Sequence, residues 1–311
     1  MFAPASILAA LSLAASPRPA GPQAAHPAEA APAAPARQSR AASLPFKLGI
    51  EHYTGFSNLS GSRRSQDGYW AGSGVATPSV AWLAWEDSRG YGAKASLGLG
   101  RLFNGSGRVY DQPAEAWVRL PAGPLRLSFG KLWMPFAAQD WLLETRPGAL
   151  AEWEGGPWSL ALAAGQRPHS RSVCAYLRAG CRFGEAASVG ISAAAGQGLS
   201  YGSSHDQGFG LDAEASLGRL RLSGEHVALR PGGGSAFSFL NGRIAWDTGS
   251  PWTPFAAAYS WNDRAGELGR FRSTIYGITW QVTPSIGLEA ALAATSAGRA
   301  HWVQLRNAWE W

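Results

Sequence analysis

The chain has very little lysine. Lys47, Lys94 and Lys131 are the only three among 27 basic residues, so nearly all the positive charge is arginine. Charge itself is scarce, at 15% of 311 residues, where a typical soluble domain carries about 25%. That shortage argues against a soluble enzyme. Long apolar runs are also missing. A transmembrane helix needs about 20 consecutive apolar residues, and the longest charge-free stretch of the body, Ala186 to His205, is broken by Gly, Ser and Gln. Helical membrane spans are therefore excluded. What is abundant is 46% hydrophobic residues, 39 glycines and 15 tryptophans. Hydrophobicity dispersed in this way points to a sheet.

The N-terminal part reads as an address followed by a tether. Ser6 to Ala15 is an apolar run of signal-peptide length with small residues after it, although no Lys or Arg precedes it. Residues 1–20 are expected to be a signal peptide. Residues 21–43 are rich in Ala and Pro, with few side chains able to bury a core, and are expected to be a disordered linker. The folded body is placed at 44–311.

Within the body, apolar residues recur with period two. Phe46, Leu48 and Ile50 alternate with Lys47, Gly49 and Glu51. Phe209, Leu211, Ala213, Ala215 and Leu217 alternate with Gly210, Asp212, Glu214 and Ser216. Such alternation, broken by turn residues, is the signature of a transmembrane β-barrel. The second face is small and mildly polar, as a water-filled lumen would be, whereas a soluble sandwich would charge it densely. Tryptophans such as Trp82, Trp85, Trp153, Trp158, Trp246, Trp252, Trp261, Trp280 and Trp302 fall near strand ends. They are expected to form two interfacial girdles.

Short connections (86–90, 121–124, 155–157, 183–185, 218–219, 248–251, 283–285) alternate strictly with longer ones (56–74, 103–112, 136–146, 166–171, 197–207, 230–235, 262–269, 295–300). Short periplasmic turns and long external loops are the habit of outer-membrane barrels. The connections predict an all-β fold, an antiparallel barrel of 16 strands with both ends on the periplasmic side. Cys174 and Cys181 lie on one such strand. Seven steps of about 3.3 Å keep them far outside the ~7 Å reach of a disulfide. A bond between them would break that strand and lower the count to 14. At the C-terminus Val303, Leu305, Trp309 and Trp311 share one face, and the last residue is aromatic. That resembles the terminal strand by which the barrel-assembly machinery recognises outer-membrane barrels.

A family resemblance rests on Ala116–Trp141, AWVRLPAGPLRLSFGKLWMPFAAQDW. A hairpin is followed by the pair Gly130-Lys131 and then by Pro135-Phe136, which opens the next loop. The stretch resembles porins of the phosphate-selective O/P type, over about a tenth of the chain. The chain is shorter than the usual members and lacks their lysine richness, so the resemblance does not carry phosphate selectivity. It implies a porin-like diffusion channel in the outer membrane of a Gram-negative bacterium.

The alternation places eight cations inward: Lys47, Lys94, Arg119, Arg126, Arg178, Arg221, Arg243 and Arg306. It places nine acids inward: Glu51, Glu115, Glu152, Glu154, Asp212, Glu214, Glu225, Glu289 and Glu310. The formal net charge of +6 therefore does not define an anion pore. A turn centred on Ala122-Gly123 sets Arg119 opposite Arg126, an arrangement that needs Glu115, Glu152 or a passing anion to offset it. The turn at Gly218-Arg219 sets Asp212 opposite Glu225, with Arg178 or Arg243 available between them; two such acids are too few for a calcium site. The pore-lining set is thus Arg119, Arg126, Glu115, Arg178, Asp212, Glu225, Arg243 and Arg306. Phe136–Arg146 is the third long connection. It reads either as a surface loop or as a loop folded into the pore, with Asp140, Glu144 and Arg146 at the constriction.

A lipid-acting hydrolase is the alternative of a different class, and a closed structural or adhesive barrel is a third. The sharpest hydrolase candidate is Ser203-Ser204-His205-Asp206, in a loop. His52 and His226 lack the paired Ser or Asn that a base would need. No catalytic, cofactor or metal residue is expected. The expected partners are small hydrophilic solutes, outer-membrane lipids and the assembly machinery, with a homotrimer left open. Nucleic acid is not among them, since the arginines form no stripe.

Overall fold

A computed structural model describes residues 46–57, 68–70, 75–77, 80–99, 115–137, 145–166, 172–196, 205–231, 236–263, 270–296 and 298–311. The strands are β1 (Phe46–Ser57), β2 (Gly68–Trp70), β3 (Val75–Thr77), β4 (Val80–Glu86), β5 (Gly92–Gly98), β6 (Glu115–Ala122), β7 (Leu125–Trp133), β8 (Thr145–Gly155) and β9 (Trp158–Gln166). They continue as β10 (Val173–Phe183), β11 (Ala187–Ala195), β12 (His205–Leu217), β13 (Leu220–Pro231), β14 (Phe237–Trp246), β15 (Trp252–Asp263), β16 (Arg270–Thr283), β17 (Ile286–Thr295) and β18 (Gly298–Glu310). Among the described residues, β2 and β3 form a small separate hairpin, and the other 16 strands form one closed antiparallel barrel.

Each strand pairs with its neighbours in sequence, and β1 closes the barrel between β18 and β4. The closing seam includes Leu48 and Trp311, whose N–H groups each donate to the other's carbonyl, at 3.0 and 2.8 Å. Closure leaves no strand edge in the bilayer, where an unpaired backbone group costs several kcal/mol. The short and long connections alternate around the barrel and define two mouths. The first long connection carries the β2–β3 hairpin.

Period-two alternation sorts the side chains. Leu97, Leu162, Ile191, Leu240, Leu292 and Val303 are exposed on the outside, as lipid-facing residues are. Glu115, Asp212, Glu225 and Glu289 are buried on the inside. The aromatic pattern matches the two girdles expected only in part: Trp133 is outward at the long-connection end of β7, whereas the other outward tryptophans of the described barrel wall gather at the opposite mouth. Trp85, Trp153, Trp158, Trp246, Trp252, Trp280, Trp309 and Trp311 lie on the outward face toward the short-turn mouth. Trp252 and Trp280 stack there with centroids 4.8 Å apart. Trp82, Trp261 and Trp302 have the opposite parity and point inward, where a lumen wall also needs large side chains.

The β6–β7 hairpin corrects the expected Arg119–Arg126 pairing. Its two-residue turn is Gly123-Pro124, with Ala122 opposite Leu125. Gly123 takes φ +61°, as the first central residue of a type II′ hairpin must. Arg119 consequently faces Ser128, and Arg126 faces Pro121. At Gly218-Arg219 the register does set Asp212 opposite Glu225. Cys174 and Cys181 both lie on β10 as free thiols, the first inward and fully buried, the second outward. No disulfide interrupts that strand, and the 14-strand alternative falls.

Candidate functional site: the barrel interior and the segment that enters it

The end of β7 delivers a short segment into the barrel. Gly130 sits where its strand crowds β6: a Cβ there would lie 2.2 Å from the Ala116 carbonyl oxygen. Beyond Trp133 the chain turns tightly, with the Phe136 N–H donating to the Met134 carbonyl at 2.9 Å across Pro135. This is the three-residue turn that proline's fixed φ favours. Leu132, Met134, Phe136 and Ala137 are all buried, Phe136 completely.

Glycines on the far wall make room for this segment. A Cβ on Gly165 of β9 would lie 2.8 Å from Met134 Sδ, one on Gly208 of β12 3.0 Å from Phe136 Cζ, and one on Gly210 2.8 Å from Ala137 Cβ. Small residues on the lumen face thus serve contact with the inserted segment as well as water. Hydrogen bonds hold it. The Ala137 N–H donates to Ser192 Oγ of β11 at 2.9 Å, and Arg178 Nη1 of β10 donates to the Ala137 carbonyl at 2.8 Å. Arg178 also grips Asp212 of β12 through both carboxylate oxygens, with Nη2 to Oδ1 at 2.6 Å. Ala137 is the one non-glycine among the described residues with positive φ, +49°. Its left-handed backbone costs about 1–2 kcal/mol, a strain that these contacts over-determine.

Several other wall charges pair along the strands. Lys94 Nζ lies 2.8 Å from Glu115 Oε2, and Arg306 Nη2 lies 2.8 Å from Glu51 Oε1. Arg126 donates to Glu154 at 2.6 Å, and Arg119 stands 3.9 Å from Glu152. Lys47 meets Glu310 at 3.2 Å near the short-turn mouth. Several cations also lie over aromatic faces, a favourable placement for a guanidinium. Arg119 sits 4.7 Å from the Trp117 ring centroid, and Arg243 5.3 Å from that of Phe255. Glu225 is buried opposite Asp212 and in register with Asn241.

Arg146 is placed differently from the expectation. It is an inward residue of β8 opposite Leu132, not part of the loop. It is fully buried, lies 5.8 Å from the Tyr176 ring centroid, and donates to Cys174 Sγ at 3.2 Å. Its parity signalled an inward side chain, which an arginine assigned to a loop concealed. Asp140 and Glu144 fall outside the described residues, as do Ser203 and Ser204. His52 and His226 are on the outward face, His226 in register with Leu211 and Leu240. Toward the long-connection mouth, Phe237, Phe239, Trp261 and Phe271 make a buried inward cluster, with Trp261 and Phe271 stacked at 4.0 Å.

Neither family models nor curated proteins match the sequence. Solved structures do. The chain is similar to a loop-deletion mutant of OmpT, an outer membrane protein of Vibrio cholerae, with TM-score 0.62 and 12% identity over 85% of this chain and 98% of that one. The OmpF of Salmonella typhi, solved with daunomycin, gives TM-score 0.61 and 7% identity, over 85% and 97%. An anion-selective porin from Comamonas acidovorans gives TM-score 0.59 and 13% identity, over 85% and 98%. At such identities the likeness is one of fold. The architecture is that of the outer-membrane porins: a closed, 16-stranded transmembrane β-barrel.

Proposed function

We propose that the protein is a passive diffusion channel for small hydrophilic solutes or ions in the outer membrane of a Gram-negative bacterium. The observation that carries this reading is a 16-strand barrel whose inner wall is lined with charge. Barrels of 16 to 18 strands leave room for an aqueous pathway. The segment 134–137 narrows that pathway on the β9–β12 side. Arg119, Arg126, Glu115, Arg178, Asp212, Glu225, Arg243 and Arg306 line it. Arg146 supports the wall behind the segment, and Asp140 and Glu144 follow in the same connection.

Acid partners along the wall favour weak charge selectivity over a dedicated anion pore. The resemblance of 116–141 to the phosphate-selective type is one of loop entry, and the pairing of Lys94 with Glu115 supports no phosphate ladder. The chain is taken to reach the membrane through a signal peptide at 1–20 and an Ala/Pro linker at 21–43, and to be inserted by the assembly machinery through the strand ending at Trp311. A similar OmpT structure is described as a trimer form, which supports a homotrimer here. The mechanism is size exclusion and lumen electrostatics, without a catalytic step. Purified protein in a planar bilayer is expected to give discrete conductance steps; their absence at micromolar protein would overturn the reading.

A further inference from the structure

The ion pairs of the inner wall differ in how tightly they close. Lys94–Glu115 and Arg306–Glu51 each close at 2.8 Å, and Arg126 donates to Glu154 at 2.6 Å. Arg119 and Glu152 stand apart. Their nearest atoms, Nη2 and Oε2, are 3.9 Å from each other, beyond hydrogen-bond reach. Arg119 engages Nε, which donates to Ser128 Oγ at 3.4 Å, and Glu152 Oε2 makes no hydrogen bond. Both side chains are partly open to the lumen, at 21% and 27% exposed. A donor and an acceptor therefore lie side by side on the β6–β8 wall without satisfying each other.

The guanidinium lies instead over the Trp117 indole, 4.7 Å from its ring centroid, a favourable contact for a cation. That indole is fixed in place. Its Nε1 donates to Glu115 Oε1 at 2.5 Å, and Glu115 Oε2 is held by Lys94 at 2.8 Å. On the neighbouring strand Gly92 leaves room for it: a Cβ there would lie 3.7 Å from Trp117 Cζ3. Trp117 is half-buried, so part of its ring remains open. The inserted segment packs on Gly165, Gly208 and Gly210 of β9 and β12, which leaves the wall of Trp117 and Arg119 clear of it.

A neutral hydroxyl is the group that suits both halves of an open ion pair. Its oxygen accepts from Arg119 and its proton goes to the Glu152 carboxylate. An anion drawn to Arg119 meets Glu152 at the same place, and a cation drawn to Glu152 meets Arg119, so repulsion offsets the attraction of either. The indole adds a second requirement, an apolar surface beside the hydroxyls, since burying such surface is favourable. A pyranose ring combines the two, with hydroxyls at its rim and C–H groups on its faces. We propose that Trp117, Arg119 and Glu152 form a lumen subsite for neutral pyranose sugars. Ring hydroxyls bridge Arg119 and Glu152, and ring C–H groups lie against the open part of the Trp117 indole. The subsite rests on the reading of a lumen open to solutes and names the solute class that this wall takes.

The test titrates the full-length barrel in detergent micelles with methyl β-glucopyranoside and, as an acyclic polyol, with sorbitol. Saturation-transfer NMR reads the half-saturating concentration of each. Wild type is expected to bind the glucoside in preference to sorbitol. Trp117→Leu is expected to weaken glucoside binding about tenfold through lost apolar contact. Glu152→Gln is expected to weaken it about fivefold, because a neutral amide is the poorer acceptor. Equal half-saturation in wild type and both variants, or equal binding of glucoside and sorbitol, overturns the proposal. Loss of the glucoside signal in molar potassium chloride also overturns it, since the wall would then serve ions. Circular dichroism before and after heating reports folding, and the near-isosteric Glu152→Gln carries the test if Trp117→Leu does not fold. The same samples go into planar bilayers. Glucoside binding without channel steps would sink the diffusion reading and leave the subsite standing; steps without saturation transfer to the glucoside would do the reverse.

Discussion

Arg178 and Ala137 are joined by a hydrogen bond of 2.8 Å, from the guanidinium Nη1 to the peptide carbonyl. The same guanidinium neutralises Asp212, which faces Glu225 across the β12–β13 ladder. One side chain therefore does two things. It fixes the segment that enters the lumen, and it makes two facing acids tolerable on one wall.

Replacing Arg178 should separate these effects. Its side chain is 16% exposed and that of Asp212 9%, and removing one partner of a buried ion pair costs about 3–5 kcal/mol. Arg178→Gln is expected to lower stability in urea by that order and to shift the channel toward cations, because Asp212 and Glu225 remain. Adding Asp212→Asn is expected to recover more than half of the stability. If the single variant unfolds at the wild-type midpoint, the ion pair does not carry the wall.

Ala137 offers a second test of the inserted segment. Its φ of +49° is the conformation that glycine adopts without a Cβ penalty. Ala137→Gly is expected to change stability by less than about 1 kcal/mol, strain relief opposing the greater entropy of the unfolded chain. Gly210→Val acts from beneath. Its Cβ would meet that of Ala137 at 2.8 Å and push the segment toward the axis, so single-channel conductance is expected to fall. Unchanged conductance in Gly210→Val would mean that the segment does not border the pathway.

Much of this architecture was legible in the chain because a barrel writes its two faces with period two. The inward set holds even where a pairing changes. Moving the β6–β7 turn from Ala122-Gly123 to Gly123-Pro124 shifts the partner of Arg119 by two residues, from Arg126 to Ser128. A shift of two keeps every side chain on its face, whereas a shift of one would have exchanged the faces. Which acid each arginine meets depends on register and was hidden. So was the second use of Gly165, Gly208 and Gly210. A small residue on a lumen face looks the same whether it borders water or another segment, and only the path of 134–137 distinguishes them. The inward tryptophans were misplaced because position near a strand end was weighed above parity.

The two cysteines differ enough to be read in solution. Cys174 is wholly buried beside Arg146, while Cys181 is partly exposed on the outward face. A small membrane-permeant maleimide is expected to label the folded barrel once, at Cys181, and the unfolded chain twice. Labelling of both thiols in the folded state would show that the wall behind the inserted segment opens.

Asp247, in the turn between β14 and β15, gives a pH prediction outside the membrane span. Its carboxylate is held below the usual value of 3.8 chiefly by the Gly249 N–H and then by Arg221; the two hydrogen bonds are 3.0 and 2.9 Å. A depressed folded pKa contributes stability above the unfolded value, and the contribution is lost as pH falls through the folded one. The turn should therefore stay closed at pH 5 and loosen only below 3.8. The Gly249 amide shift in an NMR titration is expected to move with a midpoint under 3.8 and to stay flat in Asp247→Asn; a midpoint at or above 3.8 would contradict the assigned hydrogen bond.

Selectivity turns on the pairs that replaced the expected arginine couple. Arg119 answers Glu152 and Arg126 answers Glu154, so the β6–β8 wall is close to neutral as built. Removing both cations leaves two acids on one stretch of lumen wall, and rings or patches of one sign set pore selectivity. Arg119→Ala with Arg126→Ala is expected to lower anion permeability and move the reversal potential in a salt gradient toward the cation limit. Glu152→Gln with Glu154→Gln is expected to move it the other way by a similar amount, because the two pairs are matched in charge. A reversal potential that moves in neither double variant would mean that permeating ions do not sample this wall.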